Sequence, residues 1–159
     1  METESLAAAF EQEHDEIDAW ITAFAASPGD PQPLARAVRA LRRHIYLEEE
    51  FLFPLLGEAQ PGLRAPVFVM LREHAEIWAT LDLLEGRLGA AAGVEPLLCK
   101  RLASQLLHHN LKEEKILYPQ ADALPPAAAG RLRAFLGSGE LPEGWVCVKA
   151  RPVTRDAGR

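Results

Sequence analysis

The 159-residue sequence predicts an all-α protein: an up-down-up-down antiparallel four-helix bundle followed by a short helix and an extended tail. Three observations predict it. Proline- and glycine-rich clusters cut the chain at residues 27–33, 57–62, 89–96 and 123–126, leaving segments of helical length between them. Each segment carries apolar residues in steps of three and four, which gathers them on one helix face. The chemistry of the first two segments then recurs in the next two.

The first helix is expected over roughly residues 4–26, with Leu6, Phe10, Ile17, Ile21 and Phe24 on its buried face. The second, roughly 33–56, presents Leu34, Val38, Leu41, Leu52 and Leu55. In the third, roughly 63–88, Val67, Met70, Ile77, Leu81, Leu84 and Leu88 form a stripe with one vacancy, at position 74. The fourth, roughly 95–121, carries Leu98, Leu102, Leu106 and Leu117. Short loops between such helices favour antiparallel neighbours. A fifth, short helix is expected from about 126 to 136, because the Pro125, Pro126 pair suits a first turn. Past it no helical period remains, so Trp145, Val146 and Val148 are expected to lie extended against the bundle, with the last few residues mobile. Residues 1–122 are read as the bundle and 123–159 as a helix and tail packed on the same domain, with no function assigned to the tail.

This length supports one hydrophobic core rather than two. A net charge of -6 provides no global positive field to collect phosphates, which argues against nucleic acid as a partner. Arg36, Arg39, Arg42 and Arg43 are read as a solvated helix face. Cys99 and Cys147 form no close metal-binding or redox pair and are read as reduced and incidental. The acidic N-terminus lacks the positive start of a secretory signal, and no apolar run approaches the ~20 residues that span a bilayer. The expectation is a cytoplasmic protein with no membrane partner.

Ionisable residues interrupt every apolar stripe where burial is required: His14, His44 with Glu48, His74, and His109 with Glu113. Burying such groups without compensation costs several kcal/mol (on the order of 3 or more), and a divalent cation offsets that cost directly. Carboxylate oxygen and imidazole nitrogen are suitable ligands. Residues four apart on a helix differ by about 40° around its axis, so each His-x-x-x-Glu pair reaches one point. The pattern occurs twice. HIYLEEEFLFP (44–54) aligns without a gap on HNLKEEKILYP (109–119), and EHDEI (13–17) matches EHAEI (73–77). Two such hairpins packed face to face bring the six groups together.

These residues resemble the hemerythrin, or HHE cation-binding, family over roughly residues 5–122. The resemblance implies His14, His44, His74 and His109 as nitrogen ligands, with Glu48 and Glu113 as carboxylates bridging two metal ions. It implies a di-iron centre, oxo- or hydroxo-bridged, with manganese or zinc as other candidate metals. Oxygen-carrying members offer a second histidine four residues after the first in the third helix, where this chain has Trp78. About two places per metal then stay open, which resembles the branch implicated in iron sensing, nitric-oxide response and iron-centre repair. Repair-type members usually carry a cysteine-containing N-terminal segment that is not recognised in this sequence.

His108 competes with His109 for a ligand role but lies on the polar side with Arg101, Ser104, Lys112 and Lys115, so His109 is preferred. Glu49 and Glu114 recur in both halves as alternative ligands or acceptors for the histidines, and Glu49 with Glu50 also reads as surface charge. Asp15, Glu16 and Glu76 read as surface charge as readily as site groups. Tyr46 and Tyr118 are assigned to packing, outside the site. The leading functional expectation is a non-haem di-iron protein that binds or senses O2 or NO, or handles iron. The alternatives are a di-iron redox enzyme acting on NO, peroxide or damaged iron centres, and a structural or regulatory module stabilised by metal.

Overall fold

The computed structural model describes residues 4–90 and 93–152, and all regular structure among them is helical. Helix α1 spans Leu6–Ala26. Its start is fixed twice: the Ser5 hydroxyl accepts from Ala8 N–H, and the Asp122 carboxylate accepts from Leu6 N–H at 2.8 Å. Helices α2 (Gln32–Leu47), α3 (Phe53–Ala59), α4 (Arg64–Leu88), α5 (Pro96–Lys112), α6 (Tyr118–Ala121) and α7 (Pro126–Ser138) follow. Helix α1 packs on α2 and α5, and α4 packs on α5 and α2, which encloses a shared interior.

That interior is layered. One apolar cluster contains Ile17, Ile21, Leu41, Ile45, Ile77, Leu81, Leu102 and Leu106. A second contains Leu6, Phe10, Leu52, Phe53, Met70, Leu117 and Tyr118. In each helix the predicted polar interruption falls between the two. The stripes read from sequence are buried, with only Leu55, Val67, Leu88 and Leu98 partly exposed at their edges.

Two π-helical turns interrupt the long helices: Glu48–Leu52 and Glu113–Leu117. Phe53 N–H donates to Glu48 C=O, and Tyr118 N–H to Glu113 C=O, one residue further back than in an α-helix. Pro54 and Pro119 give the physical reason. Each ring would collide with the carbonyl four residues earlier in an unbroken α-helix and has no N–H to offer it. The wider turn absorbs this conflict, and the helix runs on to Ala59, past the break expected at residue 57.

The short helix α7 runs Pro126–Ser138, two residues beyond its expected end. Trp145 and Val146 pack partly buried on the core, but Val148 opens a 3-10 turn, Val148–Ala150, where extended backbone was expected. The expectation of a mobile terminus concerns residues 153–159, outside the described residues. Arg42 and Arg43 correct the reading of a solvated face. The Arg42 guanidinium lies 4.4 Å above the Trp78 ring and pairs with Asp82 and Glu85. Arg43 donates to the backbone carbonyls of Phe135, Leu136 and Gly139, tying α7 to α2. Arg36 and Arg39 are exposed as expected, and both cysteines are free and buried. Among the described residues, no helix is long and apolar enough to cross a membrane.

Candidate metal centre

Helix α1 supplies His14, α2 His44, α4 His74 and α5 His109, while Glu48 and Glu113 open the two π turns. All six are at most 4% exposed. Glu48 Oε1 lies 3.5 Å from His44 Nε2 and 3.3 Å from His74 Nε2. Glu113 Oε1 lies 3.2 Å from both His109 Nε2 and His14 Nε2, and its Oε2 is 3.8 Å from His74 Nε2. Each glutamate therefore reaches a histidine from both halves of the repeat. Two groupings have ligand atoms within 4.8 Å of one another: Glu48, His74, His109 and Glu113, and His14, His44 and Glu113.

The outward nitrogens complete the design. His44 Nδ1 faces Glu13 at 2.8 Å, His74 Nδ1 faces Glu49 at 2.7 Å, His109 Nδ1 faces Glu73 at 3.0 Å, and His14 Nδ1 faces Glu114 at 3.4 Å. A carboxylate only accepts, so each Nδ1 donates, and a ring that exchanges its other proton for a metal ion would turn its Nε2 lone pair inward. Lys112 pairs with Glu73, and Arg43 pairs with Glu13 at 3.2 Å, holding these carboxylates in place. The His109 hydrogen bond, with Lys112, holds Glu73 down to about 2 against its partial burial.

Without a cation the interior is badly matched. His14 Nε2 and His44 Nε2 face each other at 3.1 Å, a spacing that at most one proton between them can satisfy. Glu48 Oε1, His74 Nε2 and Glu113 Oε2 are buried with no hydrogen-bond partner. An orphaned buried polar atom costs roughly 1–3 kcal/mol, and more when charged. Burial pushes the His44 imidazole down, yet the Glu48 charge and the hydrogen bond to Glu13 raise it to about 10. His74 and His109 are raised likewise against burial, by Glu113, Glu48 and Glu49 for the one and by Glu113 and Glu73 for the other. The buried carboxylates thus demand positive charge, as protons or as metal ions. Nitrogen and oxygen donors in this arrangement fit a divalent or trivalent first-row metal.

Sequence reasoning missed part of this environment. Tyr118, assigned to packing, is fully buried with its hydroxyl inside the cluster, donating to Glu48 Oε2 at 2.8 Å. The signal was its alignment with Phe53 at the end of the repeat. Glu13 and Glu73 also went unnoticed, although the matched EHDEI and EHAEI segments contain both. Glu49 and Glu114 sit on Nδ1 atoms rather than among the inward-facing donors. His108 is exposed, as are Asp15, Glu16 and Glu76. Tyr46 packs on Phe51 and Trp145, away from the cluster. The tail, given no role from sequence, braces the centre: Val148 N–H donates to Glu49 Oε1 at 2.8 Å, and the other oxygen of that carboxylate holds His74.

A helical protein with paired imidazole and carboxylate groups enclosed in its core belongs to the class able to hold metal cations. The profile of the hemerythrin HHE cation binding domain matches residues 5–121, and the chain belongs to that family. No curated protein and no solved structure gave a match.

Proposed function

We propose that this protein is a non-haem di-iron protein that binds or senses O2 or NO, or handles iron, within an up-down-up-down four-helix bundle formed by residues 1–122. Residues 123–152 pack on that bundle as part of one domain. His14, His44, His74 and His109 would supply nitrogen, and Glu48 and Glu113 carboxylate oxygen, to the two metals. One observation carries this reading: each glutamate lies within 3.5 Å of a histidine from each half of the repeat. Glu113 belongs to both metal-capable groupings, as a carboxylate serving two ions would.

When bound, two iron ions supply electron-rich, coordinatively open positions for a diatomic ligand. The chain's own residues do the rest. Glu13, Glu49, Glu73 and Glu114 fix the imidazole tautomers, and the apolar layers on either side limit water. Trp78, one turn after His74, is buried against Trp145 and adds no donor to the cluster. A cleft of about 500 Å³ is lined in part by Glu49 and Phe53, the two residues that lie against the buried His74, so it is separated from that imidazole by those side chains.

Anaerobic loading with Fe(II), followed by metal counting and exposure to O2 or NO, tests the proposal. The expected result is two irons per chain and a ligand-dependent visible spectrum. A protein that retains iron but stays spectrally unchanged with both gases contradicts the diatomic-ligand reading. One that binds no iron contradicts the di-iron reading.

A further inference from the structure

The internal repeat differs at one atom in the centre. Phe53 and Tyr118 occupy matching places, each directly after a π turn and directly before a proline. Each ring lies beside a histidine, Phe53 on His74 with centroids 5.7 Å apart and Tyr118 near His14 at 5.3 Å. Only Tyr118 brings a hydroxyl. Its oxygen lies 2.9 Å from His14 Nε2, 3.0 Å from His44 Nε2, 2.8 Å from Glu48 Oε2 and 3.2 Å from Glu113 Oε1.

A phenol has one proton, so it can donate to only one of these four neighbours at a time. The spacing also matches a metal shell. Bonds of about 2.1 Å place adjacent corners of an octahedron roughly 3.0 Å apart. All four Tyr118 distances fall near that value, as do the 3.1 Å between His14 Nε2 and His44 Nε2 and the 3.2 Å between His14 Nε2 and Glu113 Oε1. Tyr118 Oη therefore stands where a ligand with four adjacent neighbours would stand. Three unpartnered buried atoms of the cluster, Glu48 Oε1, His74 Nε2 and Glu113 Oε2, lie together on the His74 side, where Phe53 offers no oxygen.

We infer, building on the two-metal reading above, that Tyr118 is a seventh metal-binding residue whose Oη coordinates the ion held by His14 and His44, making the two metal positions chemically unequal. Coordination replaces the O–H bond by an O–metal bond, and the proton leaves to solvent. The His14–His44 ion then has one more protein donor than the His74–His109 ion. The open coordination places concentrate at His74 and His109, so a small ligand binds on that side, the side on which Phe53 and the cleft lie.

The test compares wild-type protein, Tyr118→Phe and Tyr46→Phe, each loaded with Fe(II) anaerobically, counted for iron and oxidised to Fe(III) with ferricyanide. Wild type and Tyr46→Phe are expected to show a phenolate-to-iron charge-transfer band in the visible region. Resonance Raman excitation in that band should enhance tyrosinate ring modes, which shift when ring-deuterated tyrosine is incorporated. Tyr118→Phe should retain iron and lose both signals. If it fails to fold, the isotope shift in wild type together with the unchanged Tyr46→Phe spectrum still identifies Tyr118, since the chain has only two tyrosines. Two-iron wild type without tyrosinate modes overturns the assignment, as do modes that survive in Tyr118→Phe. A wild type unable to hold two irons overturns the two-metal reading, and the tyrosine assignment falls with it.

Discussion

Replacing Glu73 by Gln asks whether the outer carboxylates tune the histidines or merely pack beside them. Glutamine keeps the size and one acceptor oxygen but removes the charge that holds His109 Nδ1 at 3.0 Å and pairs with Lys112. A hydrogen bond to a charged group contributes about 1.5–3 kcal/mol. The Glu73 side chain is 21% exposed and glutamine still accepts, so the loss should fall near the low end, about 1.4 kcal/mol or roughly tenfold in metal affinity. Glu13 holds His44 at 2.8 Å with the same exposure, so Glu13→Gln should match it. Glu114 is 3.4 Å from His14 Nδ1 and 33% exposed, so Glu114→Gln should cost about threefold or less. Anaerobic competition against a chromophoric chelator, with Fe(II) and with redox-inert Zn(II), gives the three affinities, and circular dichroism checks folding. Equal affinity in all variants and wild type, or a larger loss at Glu114 than at Glu73, would refute the tuning role.

Metal binding should stabilise the fold by about 2.7 kcal/mol at a free concentration one hundred times Kd, seen as a raised urea midpoint; identical midpoints with and without chelator would count against it. Arg42→Ala should cost about 1–2 kcal/mol through lost packing on Trp78, whereas Asp82→Ala should stay within about 0.5 kcal/mol because Asp82 is 64% exposed; urea titrations of both variants compare them. In metal-free protein His44 is raised from 6.5 to about 10, so its stabilisation is complete below pH 6.5 and is lost as pH climbs through about 10. Denaturation of chelator-treated protein should show a falling midpoint across that window, and a flat profile would contradict the assigned ion pairs.

Much of the centre was legible because burial and helical period make opposing demands at the same positions. His74 stood out as the vacancy in a stripe running from Met70 to Ile77, and Glu48 and Glu113 as acids among leucines. Tyr118 was hidden by the helix itself. Five residues past Glu113, it lies about 140° around a regular α-helix, off the site's face. The π turn closes hydrogen bonds over five residues and returns Tyr118 to that face. Pro119 was the sequence cue to that turn, as Pro54 was to the other. Glu13 and Glu73 escaped because the residue before a buried histidine points about 100° away from it, and only knowing the neighbouring helix shows that each reaches a different histidine. Arg42 was misread for the same reason: what buries it is Trp78 on α4, a partner that no pattern within α2 contains.

Crystals of iron-loaded protein, measured on either side of the iron absorption edge, would locate the cations directly. Two anomalous peaks should appear between the four histidine Nε2 atoms, each within bonding reach of both Glu48 and Glu113. A single peak, or peaks outside the six side chains, would contradict the claim that these residues share a pair of metal ions.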